Sequence, residues 1–322
     1  MEDAITSHHE ALTLCPLDHP DHSSFLNNLA YALYTRFNHL GRMEDLEDAI
    51  TSFCKALTPH PLSHPEFSGY LNNLALALCT RFNQLGRRED LEDAITSHYE
   101  ALTLYPLGHP DHFISFNNLA GALYIHFGEF NRMEDLEDAI TSYHEALTLC
   151  PLSHLDRSTS LSNLAGALDI CFEQLGRMQD LEDAITLLHE VLTLCPLSHP
   201  SHSTFLNNLA LSLYTRFKQL GRMEDLNEAI TFHHKALTLR PLGHPDHSKW
   251  LNGLTGALST RFDQSDKIDD QEQSFILYEQ AANDLTSSLQ QQLVAAINWA
   301  SQAWHYHHKS IVSAYSISWI VA

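Results

Sequence analysis

The sequence predicts an all-α fold, an α-solenoid of stacked helix-turn-helix repeats, and three observations support this prediction. Residue types recur every 45 residues, apolar side chains within each repeat follow helical spacing, and no segment alternates as a half-buried strand does. A chain of 322 residues would ordinarily suggest two domains, but a repeat in one continuous register indicates a single array. The period is clearest in Ala4, Ala49, Ala94, Ala139, Ala184 and Ala229, and in Pro16, Pro61, Pro106, Pro151, Pro196 and Pro241.

The first helix of a repeat is predicted from about Pro20 to Leu40. Proline is tolerated at the first helical position because the N–H that it lacks would have no partner there. Gly41 suits the position just past the helix end, where a left-handed backbone is common. The apolar stripe that predicts this helix consists of Phe25, Leu29, Leu33 and Phe37.

The second helix is predicted from about Glu44 to Thr58, and it begins with a cluster of acidic residues. Negative charge in a first turn complements the helix dipole, which favours a solvated helix start. An acidic docking patch is the alternative interpretation. The acidic residues of this repeat are Glu44, Asp45, Glu47 and Asp48.

The spacing of small residues and proline resembles the tetratricopeptide repeat (TPR). Ala49 and Ala56 stand seven residues apart and Pro61 follows five residues later, while Asn28-Leu29-Ala30 is similar to the TPR first-helix motif. The unit has 45 residues instead of 34, and the extra ones are expected in the first helix, in the turn after Gly41 and in the loop after the proline. Long units of this kind resemble the TPR arrays of fungal proteins that precede a caspase-like CHAT protease domain. The resemblance implies a right-handed superhelix with a concave binding face.

The repeats divide the chain as a single TPR-like solenoid over residues 1–322. Residues 1–16 form a half repeat and residues 17–241 form five full repeats. A sixth repeat covers 242–286 with a degenerate second helix, and a degenerate seventh covers 287–322. Both ends lack a polar cap, which leaves open a fragment of a longer protein and self-association through uncapped ends.

Composition excludes several classes of partner. The chain has 40 Asp and Glu against 18 Lys and Arg, for a net charge of −22, which disfavours nucleic acid and anionic membrane surfaces. No run of about 18 apolar residues could cross a bilayer. Six cysteines without a C-x-x-C motif favour a reduced, cytoplasmic location.

Histidine recurs at one position of every repeat, usually just before a proline. Zinc binds imidazole, but about four ligands must meet at one point, and stacked repeats would hold these side chains apart. We therefore expect no metal or other cofactor and interpret the histidine as packing against the next loop. No catalytic motif is present, so the chain is predicted not to be an enzyme. These histidines are His19, His64, His109, His154, His199 and His244.

The resemblance to TPR places a partner-binding surface on the concave face, along the first helices. Amide side chains both donate to and accept from a peptide backbone, and tyrosine offers rigid contact area with a polar tip. The predicted function is a non-catalytic protein- or peptide-binding scaffold or sensor array. The alternatives are a regulatory N-terminal fragment of a CHAT-type protease and a structural spacer. The predicted binding residues are Asn27, Tyr31, Tyr34, Asn72, Asn117, Tyr124, Asn207, Tyr214 and Asn252. Of these, Asn72, Asn117 and Asn207 are expected to face solvent in the groove.

Overall fold

The computed structural model describes residues 2–16, 19–58, 66–104, 109, 111–152, 154, 156–239, 247–284, 288–306 and 308–321, and leaves undescribed the side chains of 248 and 318–321. The chain divides into two compact units, an N-terminal unit of residues 1–167 and a C-terminal unit of residues 168–322. Fifteen helices and no strands lie in the described residues. In chain order they are α1 (Glu2–Leu14), α2 (His22–Leu40), α3 (Met43–Leu57), α4 (Phe67–Leu85), α5 (Arg88–Leu104), α6 (His112–Phe130), α7 (Met133–Leu149), α8 (Arg157–Leu175), α9 (Met178–Leu194), α10 (His202–Leu220), α11 (Met223–Thr238), α12 (His247–Ser265), α13 (Ile268–Ala282), α14 (Leu289–His305) and α15 (Ile311–Val321).

Even-numbered helices are the first helices of the repeats and odd-numbered helices are the second helices. Within each unit a first helix packs against the second helix that follows it, and neighbouring first helices such as α2 and α4 also touch. The first helices from α2 to α12 begin 45 residues apart. The predicted all-α fold of stacked helix-turn-helix repeats is therefore confirmed.

The first helix begins later than predicted and ends where predicted. Nδ1 of His19 accepts the backbone N–H of Asp21 at 3.2 Å, and the N–H of His22 bonds to the carbonyl of His19 at 3.0 Å. These bonds close a turn that contains Pro20, so α2 starts at His22. Gly41 has φ 68° and donates to the carbonyl of Phe37, which is the left-handed helix end that glycine favours.

The recurring histidine thus has a structural role at the start of the first helix. The same bond forms in three later repeats, where Nδ1 of the histidine accepts the backbone N–H two residues later at 3.1–3.2 Å; these residues are His109, His154 and His199. The His154 ring meets Phe113 of α6 edge-on at 4.6 Å, so it packs against a helix of the preceding repeat and not against the next loop as expected. His64 and His244 lie outside the described residues.

The turn between the two helices is short. Gly41 and Arg42 alone separate α2 from α3, because Arg42 is extended and its carbonyl already accepts the N–H of Asp45 at 3.0 Å. The expectation that extra residues lengthen this turn is wrong, since they belong to α3. Across the pair, the stripe of α2 packs on Leu46, Ala49 and Phe53, which are at most 1% exposed.

Candidate functional site

Two of the predicted binding residues are buried inside their helix pairs. Asn72 is 6% exposed and Asn207 is 3% exposed, so the expectation that they face solvent is wrong. His98 Nδ1 donates to Oδ1 of Asn72 at 2.8 Å, and His233 makes the same bond to Asn207 at 3.1 Å. The amide oxygen can only accept, which places the imidazole proton on Nδ1. Asn72 also donates to Oγ of Ser115 at 2.5 Å.

Both buried asparagines bond to a histidine that stands 26 residues later, on the second helix of the pair. In the first full repeat the corresponding residue is Phe53, which offers no hydrogen bond, and Asn27 stays half-buried. Its Oδ1 instead accepts from Nδ2 of Asn73 on the next first helix, at 3.1 Å.

Two of the four predicted tyrosines, Tyr34 and Tyr214, connect neighbouring first helices. Tyr34 OH lies 2.8 Å from Oγ1 of Thr80, and Tyr214 OH lies 2.7 Å from Oγ1 of Thr260. Both tyrosines are half-buried, whereas Tyr31 is 57% exposed. Each bridging phenol is therefore engaged within the protein. The remaining predicted residues, Asn117, Tyr124 and Asn252, are half-buried.

A polar cavity of about 360 Å³ opens on the first-helix side of the N-terminal unit. Residues from α2, from α4 and from the segment before α6 line it, so that three successive repeats contribute. Asn27 is the predicted binding residue that the structure brings there. The lining consists of Ser24, Asn27, Asn28, Glu66, Ser68, Gly69, Tyr70, Asn73, His109 and Asp111.

Hydrogen bonds hold one wall of this cavity in place. Ser24 donates to Oε2 of Glu66 at 2.9 Å, and Tyr70 OH donates to the same oxygen and lies 2.9 Å from Oγ of Ser24. Burial and the adjacent Glu66 carboxylate raise the pKa of Tyr70 to about 12, so the phenol remains a neutral donor at physiological pH. The amides of Asn27 and Asn73 lie beside this wall and present both donors and acceptors.

An arginine in each of several repeats links helices in a way that the sequence analysis missed. Arg81 bonds through Nε and Nη2 to both carboxylate oxygens of Asp90, at 2.8 and 2.5 Å, and through Nη1 to Glu47 at 2.6 Å. The guanidinium thus joins α4 to its own second helix and to the preceding one. Arg36 with Asp45 and Glu2, and Arg216 with Asp225 and Glu182, repeat the arrangement.

The acidic first turns are therefore more than solvated helix starts. Asp45 and Asp90 are each 4% exposed, and both are bound by an arginine, which makes them structural. Glu44 and Asp48 of the same helix start remain exposed, so the acidic docking patch stays a prediction. The signal was present in the sequence, because Arg36, Arg81, Arg216 and Arg261 recur at multiples of 45 residues.

The described part of the chain contains no group of three or more His, Cys, Asp or Glu side chains arranged to hold a metal ion. All six cysteines are free. None of its helices combines the length and the apolar character needed to span a membrane.

Comparison with known proteins finds similarity at the level of structure. No protein-family model and no curated protein matches the sequence. PilF of Pseudomonas aeruginosa is 16% identical, covers 77% of this chain and 90% of its own, and superposes with a TM-score of 0.50. At this identity the likeness shows the fold alone, that of a TPR-like array of helical repeats.

Two further solved structures have lower TM-scores. A Podospora anserina protein with nearly identical TPR-like repeats is 16% identical, covers 68% of this chain and 99% of its own, and has a TM-score of 0.48. YrrB, described as a TPR protein with an unusual peptide-binding site, is 16% identical, covers 73% of this chain and 98% of its own, and has a TM-score of 0.47.

Proposed function

We propose that this chain is a non-catalytic scaffold that binds a protein or peptide along its first helices, with the 360 Å³ cavity as an anchoring site. The observation that carries the proposal is that three successive repeats build this one cavity from polar side chains. A ligand seated there touches several repeats at once, as an extended peptide would. Scaffold function through stacked repeats requires no catalytic group.

The cavity suits the backbone of a peptide. Asn27 and Asn73 present amide groups that match peptide N–H and C=O groups, and Asn28 adds an exposed amide at the rim. The hydrogen bond between Asn27 and Asn73 orients both side chains before a ligand arrives. Such preorganisation lowers the entropy lost on binding.

A random peptide library panned against the full chain tests the proposal. A selected peptide is then titrated by calorimetry into the parent and into the double variant Asn27→Ala/Asn73→Ala. Each lost hydrogen bond costs about 0.5–1.5 kcal/mol, so binding should weaken by roughly 5- to 150-fold. Asn208→Ala is the matched control, because Asn208 stands at the repeat position of Asn73 but lies on α10 in the other unit.

The outcomes separate the proposal from its rivals. Weaker binding in the double variant, with the control unchanged and both variants folded, supports the cavity as the anchoring site. Equal affinity in parent and double variant removes the cavity from the proposal. Failure to select any peptide contradicts peptide binding and favours the spacer. The CHAT-type regulatory fragment, the fungal resemblance and a cytoplasmic location stay predictions of the sequence.

A further inference from the structure

A second cavity, of about 610 Å³, lies in the C-terminal unit, where residues of α11, α12 and α13 line it. We call it the α11–α13 cavity. Leucine side chains give it apolar walls and a few polar side chains accompany them, a composition typical of small-molecule sites of about 300–1,000 Å³. The leucines are Leu237, Leu251, Leu254 and Leu277.

The repeat register accounts for the empty space. The preceding repeat has Phe232 where this one has Leu277. There the phenyl ring packs on a cluster that includes Leu206 and Leu192, and it meets the His189 ring at 6.4 Å. The smaller leucine therefore leaves unfilled a space that phenylalanine occupies one repeat earlier. The neighbours of that ring correspond, 45 residues later, to Leu251, Leu237 and His234, which all line the cavity.

A carboxylate lines this cavity at a position where the preceding repeats have leucine. Asp284 corresponds to Leu239, Leu194 and Leu149, which are 44–46% exposed, whereas the Asp284 side chain is only 14% exposed. Among the described residues that line the cavity, Asp284 is the one acidic residue and none is Lys or Arg. The described lining therefore carries negative charge and favours a cation.

A buried imidazole lies beside this carboxylate. His247 is 7% exposed, and its Nδ1 has no hydrogen-bond partner among the described residues. In the preceding repeat the corresponding Nδ1, that of His202, lies 3.2 Å from the carbonyl oxygen of Cys195. Nδ1 of His247 lies 3.9 Å from Oδ2 of Asp284, which is too far for a hydrogen bond. Because buried polar atoms ordinarily have partners, an unpaired one at the wall of a cavity points to a ligand.

We propose that the α11–α13 cavity binds an organic amine, with its ammonium group between His247 and Asp284 and its apolar chain along the leucines. An imidazole with its proton on Nε2 accepts a hydrogen bond at Nδ1, and the carboxylate accepts as well. One ammonium nitrogen reaches both acceptors at about 2.8 Å, because they stand only 3.9 Å apart. The ammonium group belongs to a free amine or to a lysine side chain of another protein. This inference is independent of the proposed peptide site, which lies in the other unit.

Calorimetric titration of the full chain with hexylamine and with hexan-1-ol tests the proposal, since the two ligands share an apolar chain and differ in charge. The parent should bind hexylamine about tenfold or more tighter than hexan-1-ol, the factor expected from hydrogen bonds to a charged group. N-acetyl-lysine methylamide, titrated alongside, distinguishes the two sources of the ammonium group. An affinity equal to or above that of hexylamine assigns a lysine side chain, and a lower affinity assigns a free amine.

Two variants borrow residues from other repeats. Leu277→Phe fills the cavity as Phe232 does one repeat earlier, and it should weaken binding of both ligands by roughly fivefold or more. His247→Phe introduces the residue type of Phe67, which is 6% exposed at the same repeat position, and it should cut the preference for the amine by roughly threefold or more. The control Ile276→Thr changes a 56% exposed residue to the threonine of the five preceding repeats, and it should bind as the parent does.

A parent that binds hexylamine no better than hexan-1-ol overturns the proposal. A folded Leu277→Phe or His247→Phe variant that keeps the parent's affinities also overturns it, because attraction of the amine to the acidic surface of the chain would survive both changes. An equal loss of affinity in the control has the same consequence. If one variant loses its helical circular dichroism spectrum, the other variant and the comparison of ligands on the parent still decide the matter.

Discussion

Two buried histidines should make the folded state sensitive to acid. His98 and His233 are 0% exposed, and burial lowers the pKa of each to about 4, from an ordinary value of 6.5. In the folded protein both imidazoles are therefore neutral at pH 7 and remain so down to about pH 4. Their Nδ1 protons are committed to the Asn72 and Asn207 amides.

The size of the effect follows from proton linkage. As the pH falls below 6.5, the unfolded chain binds protons at these histidines while the folded chain does not, so unfolding becomes easier. Stability from neutral burial is thus present above pH 6.5 and is lost progressively toward pH 4. At pH 5 the loss amounts to about 2 kcal/mol for each histidine, or about 4 kcal/mol for both.

Urea unfolding at pH 7 and pH 5 measures this loss. The double variant His98→Phe/His233→Phe removes both titrating groups, and phenylalanine fits because Phe53 occupies the same repeat position at 1% exposure. The free energy of unfolding of the parent should fall by about 4 kcal/mol more than that of the double variant between the two pH values. The exposed residue His9 provides the control His9→Gln, which should follow the parent.

If the free energies of unfolding of the parent and the double variant change in parallel with pH, the two buried histidines are not the cause of the acid sensitivity. It would mean that the buried imidazoles take up protons as readily as they do in the unfolded chain. A control that departs from the parent as the double variant does would refute the prediction as well, since burial would then not be the cause.

Two further predictions concern the stability of the helix pairs, each measured by urea unfolding at pH 7. Arg81→Met should lower the free energy of unfolding by about 3 kcal/mol or more, because Asp90 is left buried without its partner; Arg87→Met, at an exposed ion pair, should change it by less than about 1 kcal/mol. Gly253→Ala should destabilise by about 1–3 kcal/mol, since its Cβ would lie 2.8 Å from a buried imidazole carbon. Gly256→Ala on the same helix meets open space and should stabilise by about 0.5–1 kcal/mol. Equal changes in the free energy of unfolding for Arg81→Met and Arg87→Met would contradict a structural role of the buried ion pair. Equal changes for the two glycine variants would contradict the close contact at Gly253.

The helical repeat is predictable from the 45-residue pattern alone. Apolar spacing and Gly41 located the end of α2 at Leu40, because a glycine with left-handed backbone ends a helix through local hydrogen bonds. The start of α2 was misplaced at Pro20, because the turn there depends on the His19 side chain accepting a backbone N–H. That hydrogen bond is also local, but a histidine in a sequence could equally bind a metal or pack against a neighbouring loop, so its bond to the backbone is not predictable from the sequence.

Which polar side chains remain available to a partner depends on packing between helices. Asn27 and Asn72 occupy the same repeat position, yet one lines a cavity and the other is buried. One difference lies 26 residues further along, where His98 bonds to the Asn72 amide while the corresponding residue of the earlier repeat is Phe53, which offers no hydrogen bond. A buried polar group must find a hydrogen-bond partner, so its orientation depends on what packs across the helix pair, and a periodic pattern within one helix does not contain that information.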